Sequence, residues 1–224
     1  MQGVTAERSR RRPKISCVDG QELPIFELPL VLLPGEQLPL HIFEERYKRM
    51  VSRALDDGEP FGVVLRDDEG ARSIGCTARV EDVIERFEDG RMNIVVSGGE
   101  RFKVLDRFEA SDYPAGEVEV ISDEADGSPA DEESADAARE AFAELAERAT
   151  GERPDPEDLE DASAYAIAAR IELPDETKQK LLEMRDEHER LELLTNALRA
   201  VDRALEQGEM IADLARSNGR VVFE

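Results

Sequence analysis

The chain has 224 residues, enough for one large domain or for two small domains with separate cores. Its 53 Asp and Glu residues outnumber its 29 Lys and Arg residues, which gives a net charge of −24, and only five of the basic residues are Lys. Such an acidic surface argues against nonspecific binding to nucleic acid or to anionic membranes. Adaptation to a high-salt cytoplasm and the base composition of a GC-rich genome explain the scarcity of Lys equally well.

The N-terminus and the cysteines exclude further classes of protein. The N-terminus is polar and does not resemble a signal peptide, and no apolar run is long enough to cross a bilayer. Cys17 and Cys76 are far apart and lack the spacing of metal ligands, so we predict two reduced thiols. These observations predict a cytoplasmic protein that does not contact membranes.

Residues 1–20 show no hydrophobic periodicity and contain a short basic run, formed by Arg8, Arg10, Arg11, Arg12 and Lys14. Terminal segments of this composition are typical of disordered tails, and we predict a disordered N-terminal arm. An arm that binds nucleic acid is the alternative.

The stretch Leu23–Leu40 is dominated by apolar residues and is interrupted every five residues by proline, at Pro24, Pro29, Pro34 and Pro39. Because proline fixes φ and has no N–H, this spacing predicts short extended pieces rather than a helix. Pro34-Gly35 fits the two central positions of a type II turn between them. After Leu40 the apolar residues change to helical spacing and predict a covering helix from about Phe43 to Asp56.

Short apolar or alternating runs predict further β segments at residues 60–66, 73–87, 92–97, 101–108 and 116–121. Asp89-Gly90 predicts a hairpin, and a break in the alternation near Glu81-Asp82 predicts a β-bulge. Gly98-Gly99 predicts a bend at which the chain turns back and pairs again. The result is a mostly antiparallel sheet with one helix, which we expect to close on itself because closure limits exposed edges.

From Ser122 to Asp161 the chain holds 16 acidic and three basic residues, and its beginning has the composition of a linker. Helical spacing predicts helices over residues 135–149 and 159–171, and a third from about Asp175 with an apolar seam from Met184 to Leu205 that has one polar gap at Glu187. At this length a helical bundle is favoured over a coiled coil. Weak self-association through these helices is a further expectation.

Several motifs resemble, as a set, the N-terminal substrate-binding domain of Lon proteases. They are the stretch PIFELPLVLLPGEQLPLHIFEERY from Pro24 to Tyr47, Ile74–Val80, Asp89-Gly90, Gly99–Phe102, KQKLLE from Lys178 to Glu183, and Arg190-Leu191. The resemblance covers about Leu23 to Leu205. It implies an α+β fold in which a PUA-like antiparallel β pseudobarrel with one covering helix precedes a C-terminal α-helical bundle. We therefore divide the chain into an arm (1–20), a PUA-like β domain (21–122), an acidic linker (123–134) and a helical domain (135–217).

Motifs for catalysis are missing from the sequence. There is no GxxxxGK[ST] and no GxSxG. In the Lon family the Ser–Lys protease site lies in a separate domain to which the resemblance does not extend. His41 and His188 lack metal-ligand spacing, and His41 is interpreted as a packing or capping residue. We therefore predict no catalytic residues, no metal and no cofactor. For Arg101, hydrogen bonding within the barrel is favoured over binding of an acidic partner.

The flanks of the Pro34-Gly35 turn are unusually apolar, and such patches mark interaction sites when they are exposed. Because alternate residues of a strand face opposite sides, one of Leu32 and Leu33 should be core and the other exposed. The predicted peptide-binding or protein-binding residues are Leu32, Leu33, Pro34, Leu38, Pro39, Phe43, Arg101 and Phe102.

The function implied by the resemblance is a non-catalytic module that binds exposed apolar segments of unfolded or damaged proteins, as an adaptor or regulator in protein quality control. Its expected partners are such segments and a Lon-type protease. A hydrolase of unknown substrate is the first alternative. An RNA-binding PUA-like protein is the second, and the net charge of −24 disfavours it.

Overall fold

A computed structural model of the chain describes residues 21–110, 112–123, 132–160 and 162–218, and within 209–218 it describes the backbone alone. The predicted N-terminal arm and most of the predicted linker lie outside the described residues. The elements are β1 (Gln21–Leu28), β2 (Gln37–Ile42), α1 (Glu45–Asp57), β3 (Phe61–Asp67), β4 (Gly70–Arg86), β5 (Met92–Ala110), β6 (Tyr113–Val120), α2 (Glu132–Thr150), a 3₁₀ turn (Pro156–Asp158), α3 (Ala164–Ala168), α4 (Asp175–Glu183) and α5 (Glu187–Asn218).

The six strands form one sheet in the order β2-β5-β4-β3-β1-β6, and it closes on itself because β5 also pairs with β6. The prediction of an antiparallel sheet is wrong at one pair, since β1 and β3 run parallel, with Ile25 opposite Gly62. Parallel neighbours need a long crossover, usually one that contains a helix. Here the crossover from β1 to β3 contains β2 and α1.

The connection from β1 to β2 is irregular, and this overturns the prediction for Leu32 and Leu33. Both side chains are buried, at 1% and 0% exposure, together with the neighbouring Val31. The alternation of a strand does not apply, because residues 29–36 belong to no strand. The segment lies so close to β5 that a Cβ on Gly98 would come within 1.9 Å of the Leu33 carbonyl oxygen.

The turn at Pro34-Gly35 is confirmed. Gly35 has φ 78°, the positive value that the third residue of a type II turn requires, and Glu36 N donates to Leu33 O at 3.1 Å. The hairpin at Asp89-Gly90 is also present, with Gly90 at φ 81° and its N–H donating to Phe87 O.

The long strand β5 corrects the predicted bend at Gly98-Gly99. It runs unbroken through both glycines and changes partner instead, pairing with β2 over Met92–Ser97 and with β6 over Phe102–Ala110. The bulge predicted near Glu81-Asp82 is found as a register shift between Val80 and Asp82, and β4 has a further shift between Val83 and Glu85.

Helix α1 covers the barrel through Tyr47, Met50 and Val51 and ends at Gly58, which has φ 69°. The helix begins two residues later than predicted. Phe43 therefore lies outside it, and its side chain is 60% exposed rather than part of the covering face.

The C-terminal helices differ from the prediction in two respects. The helix expected over 159–171 is reduced to the five residues of α3. The third helix is divided, because Met184 has an extended backbone at the end of α4 and α5 starts only at Glu187. Buried side chains of the barrel and of the helices, from Phe26 and Leu33 to Leu181 and Leu198, belong to one continuous apolar cluster.

Candidate functional site

The eight predicted site residues are divided by burial into two groups. Leu32, Leu33, Phe102 and Arg101 are buried and offer no surface in this conformation. Leu38 and Pro34 are half-buried, whereas Pro39 and Phe43 are exposed. The predicted residues therefore do not form one site: some lie in the buried interior and others on an exposed face.

The junction lies between the barrel and the helices and centres on two arginines. The Arg190 side chain is 2% exposed, and its guanidinium donates to both carboxylate oxygens of Asp123, at 2.8 Å from Nη1 and 2.5 Å from Nη2. Arg101, on β5, donates to the same carboxylate and to the backbone carbonyls of Leu182 and Met184. Arg101 therefore bonds across to the helical part rather than within the barrel, which corrects its predicted role.

These contacts explain the break between α4 and α5. A helix end leaves carbonyl groups without intrahelical partners, and burial without a donor would be costly. Met184 O accepts from both Arg101 and Arg190, and Leu182 O accepts from Arg101. Tyr165 Oη donates to Leu181 O at 2.9 Å, and the Arg190 guanidinium lies 4.9 Å from the Tyr165 ring centre.

Electrostatics at the junction favour an ionised Asp123 carboxyl and a neutral Tyr165 hydroxyl. Burial raises the pKa of the Asp123 carboxyl, but the hydrogen bonds and charges of Arg190 and Arg101 outweigh it, and the pKa is lowered. Burial raises the pKa of Tyr165 to about 12, so its hydroxyl stays protonated at neutral pH. The junction is a saturated network, in which each charge already has a partner inside the protein.

A second buried ion pair fixes the Pro34-Gly35 turn. Glu36 Oε2 accepts from Leu33 N at 2.9 Å, and Lys178 Nζ of α4 donates to Glu36 Oε1 at 2.5 Å. Asp175 of the same helix accepts from Val31 N at 3.1 Å. The apolar turn is therefore held against α4, and its role here is structural.

The exposed face is formed by β2, β5 and β4 on the side away from the core. Cross-strand register places Pro39 opposite Val95 and His41 opposite Asn93. His41 Nδ1 is 2.6 Å from Asn93 Oδ1, and Asn93 Nδ2 donates to Glu85 Oε2 at 3.2 Å. This polar row fixes the orientation of the His41 ring.

Aromatic side chains surround His41. Its ring stacks on Phe43 with centres 6.0 Å apart and meets the edge of Phe87 at 6.2 Å. The Arg91 guanidinium lies 5.0 Å from the centre of the Phe87 ring. We define the outer aromatic face by its exposed or half-exposed residues, Pro39, His41, Phe43, Phe87 and Val95. Ile84, the unpaired residue at the β4 register shift between Val83 and Glu85, is 62% exposed beside it.

Sequence reasoning missed Phe87, Val95 and Ile84. Alternation places Phe87 on the same side of the chain as Glu85, and Val95 on the same side of β5 as Asn93, so a local signal existed for their orientation but not for their meeting at His41. Ile84 gave no such signal, because its exposure comes from the bulge.

Among the described residues outside this face, Ser134 Oγ lies 2.9 Å from His188 Nδ1, and His188 Nε2 lies 3.6 Å from Glu192 Oε1. Burial raises the pKa of the Cys76 thiol, which keeps it protonated. The described residues contain no group of His, Cys, Asp and Glu arranged to hold a metal ion. No helix in the part of the chain that the structure describes is long and apolar enough to span a membrane. The outer aromatic face offers rings and aliphatic groups that can contact another apolar surface, so the chemistry available to it is binding.

The architecture is a closed mixed barrel with attached helices, and its outer aromatic face is the candidate binding surface. The chain matches the family model of the ATP-dependent protease La (LON) substrate-binding domain over residues 22–200, and it belongs to that family.

Known relatives agree with this assignment. The Lon protease of Paraburkholderia phytofirmans is 29% identical over 215 residues, which cover 88% of this chain and 26% of that protein. The Lon protease of Anaeromyxobacter dehalogenans is 30% identical over 197 residues, which cover 79% of this chain and 23% of that protein. The chain thus spans about a quarter of the length of these Lon proteases.

Two solved structures of isolated domains are similar over most of the chain. The Lon N-terminal domain protein from Xanthomonas campestris is 28% identical with a TM-score of 0.59, over 78% of this chain and 96% of that one. The N-terminal domain of Mycobacterium avium complex Lon protease has a TM-score of 0.60 over 80% of this chain and 98% of that one. At 20% identity, this second structure supports the fold alone.

Proposed function

We propose that the chain binds exposed apolar segments of unfolded or damaged proteins through the outer aromatic face. Membership of a substrate-binding family supports a role in binding protein substrates. The observation that carries the choice of surface is Phe43, whose side chain is 60% exposed while it stacks on His41. A large aromatic ring left in water gains free energy when an apolar side chain of a partner covers it.

Binding at this face fits unfolded clients for a structural reason. The hydrogen bonds from His41 through Asn93 to Glu85 hold the centre of the face in place, so little order has to be created in the protein when a client binds. Pro39 and Val95 extend the apolar surface along the strands. An extended client segment can therefore place several apolar side chains on the face at once.

The test is to replace Phe43 by Asp and to measure binding to a reduced, alkylated and therefore permanently unfolded model protein by fluorescence anisotropy. We expect affinity to fall about tenfold or more, because interface anchors of this kind carry much of the binding energy.

Leu105→Asp is the matched control. Leu105 is 52% exposed at a register shift of β5 near β6, and it is not part of the outer aromatic face. It should leave affinity unchanged. Equal weakening by both variants would mean that the acidic substitution itself, and not the position, reduces binding, and the proposed face would be wrong.

The rest of the proposal follows from the family. We propose that the barrel is a PUA-like pseudobarrel, that the helices form a bundle, and that the acidic segment 123–134 is a linker between two domains. The module is proposed to be non-catalytic and cytoplasmic, to act as an adaptor or regulator beside a Lon-type protease, and to self-associate weakly through its helices. Limited proteolysis tests the division, since first cuts at residues 124–131 support it and first cuts within Arg91–Phe108 contradict it.

A further inference from the structure

Three carboxylates border the outer aromatic face, and we call them the acidic rim: Asp82, Glu85 and Glu88. Asp82 lies directly across from Val95 in the strand register. Glu85 accepts the hydrogen bond from Asn93, and Glu88 follows Phe87 in the hairpin turn. The rim is therefore adjacent to the apolar groups that a client would cover.

Within the described ranges, no basic side chain pairs with the acidic rim. All three side chains belong to exposed residues, and none forms an ion pair with another residue in the described part of the chain. Their neighbours differ in this respect, because Asp89 pairs with Arg91 at 2.7 Å and Glu45 pairs with Lys48 at 2.7 Å.

Arg86 is the basic residue of β4 closest in sequence to the rim. Its register partner on β5 is Met92, which in turn lies opposite Ile42 on β2. Both of those side chains are buried in the core, so Arg86, although itself exposed, lies in their register row and not in the row of Asn93 and Val95. Arg91, which lies over the Phe87 ring, is offset by its ion pair with Asp89, so among the described residues the rim leaves the outer aromatic face with a negative potential.

We infer that the preferred clients are apolar segments flanked by Arg or Lys. This specifies the substrate class of the proposed function and rests on it. A client that covers Phe43 and Val95 brings its flanking residues over the rim. Basic flanks offset the cost of removing water from the carboxylates, because they supply opposite charge. Acidic flanks are repelled.

The experiment compares three labelled peptides with the same central Leu-Phe-Leu-Phe segment and two flanking residues on each side: Arg, Gln or Glu. With the unaltered protein in 50 mM KCl we expect the Arg-flanked peptide to bind about tenfold more tightly than the Gln-flanked one, and the Glu-flanked peptide to bind most weakly. At 1 M KCl the Debye length falls to roughly 3 Å, and the ratio should approach one.

Two triple variants separate the rim from the total charge. Asp82→Asn with Glu85→Gln and Glu88→Gln should bring the ratio of Arg-flanked to Gln-flanked affinity close to one. Glu109→Gln with Glu117→Gln and Glu119→Gln removes the same charge from exposed positions at β5 and β6 and should keep the ratio.

The possible outcomes distinguish the preference for basic flanks from the proposed binding function. If the three peptides bind the unaltered protein equally, the inference is wrong and the proposed function stands. If the two triple variants reduce the ratio equally, the preference comes from net charge and the inference is also wrong. If no peptide binds, the proposed function itself fails, and the inference fails with it.

Discussion

The junction and the outer aromatic face reverse the usual placement of side chains. At the junction, Arg101 and Arg190 are buried among carbonyls and a carboxylate, whereas Phe43 at the face and Ile84 beside it are exposed. The buried charges hold the helices on the barrel and satisfy the carbonyls at a helix break. The exposed Phe43 ring, by contrast, is not part of the hydrophobic core. On this contrast rests our proposal that the junction is scaffold and that the face is where the protein meets a partner.

The largest expected effect tests the scaffold side. Leu32→Asp and Leu33→Asp each place a carboxylate in the shared core without a counter-ion. Each variant should lose about 4 kcal/mol or more of unfolding free energy and fail to fold. Circular dichroism during thermal melting measures this. A folded variant at either position would mean that the connection between β1 and β2 can open.

The second effect concerns the ion pair between Glu36 and Lys178. Lys178→Met alone leaves a buried carboxylate without its cation and should cost about 3 kcal/mol or more. Adding Glu36→Gln removes that charge while keeping an acceptor for Leu33 N, so the double variant should regain most of the loss. Urea denaturation of the two single variants and the double variant gives the coupling. Additive losses would show that the two side chains act independently.

The third effect is the pH dependence of the junction. Because the pKa of Asp123 is lowered in the folded state, its contribution to stability is present above the unfolded value of about 3.9 and is lost as pH falls through the folded value. The stability difference between the unaltered protein and Asp123→Asn should therefore be largest near pH 6 to 7 and shrink below pH 4.

Urea denaturation across this pH range measures the difference. Asp106→Asn, which alters an exposed carboxyl on β5, serves as the control and should show a smaller dependence. A difference for Asp123→Asn that stays constant with pH would contradict the ionic role of this residue.

The smallest effect belongs to the outer aromatic face. Phe43→Asp and Leu105→Asp should each change the free energy of unfolding by no more than about 0.5 kcal/mol, because neither side chain contributes to the core. Thermal melting of the same samples used for client binding measures this. A large loss for Phe43→Asp would mean that this ring is part of the scaffold, and the contrast between the two regions would disappear.

The sequence by itself determined the local features of this protein. The Pro34-Gly35 turn, the hairpin at Asp89-Gly90, the bulge near Glu81 and most of α1 were predicted correctly. Each depends on residues close together in the chain, because proline geometry, positive φ and side-chain periodicity determine the local backbone conformation. The family could also be identified, because its motifs are short and contiguous.

Only the tertiary structure decided where the surface is. Leu33 is buried where Gly98 lies against its carbonyl group and where Lys178 binds Glu36, the acceptor of Leu33 N. The break after α4 depends on Arg101, which donates to Met184 O from 83 residues away. The outer aromatic face needs three strands in register before Phe43 and Phe87 meet at His41. Long-range contacts of this kind are not encoded in any local pattern, and they determine whether an apolar residue becomes core or binding surface.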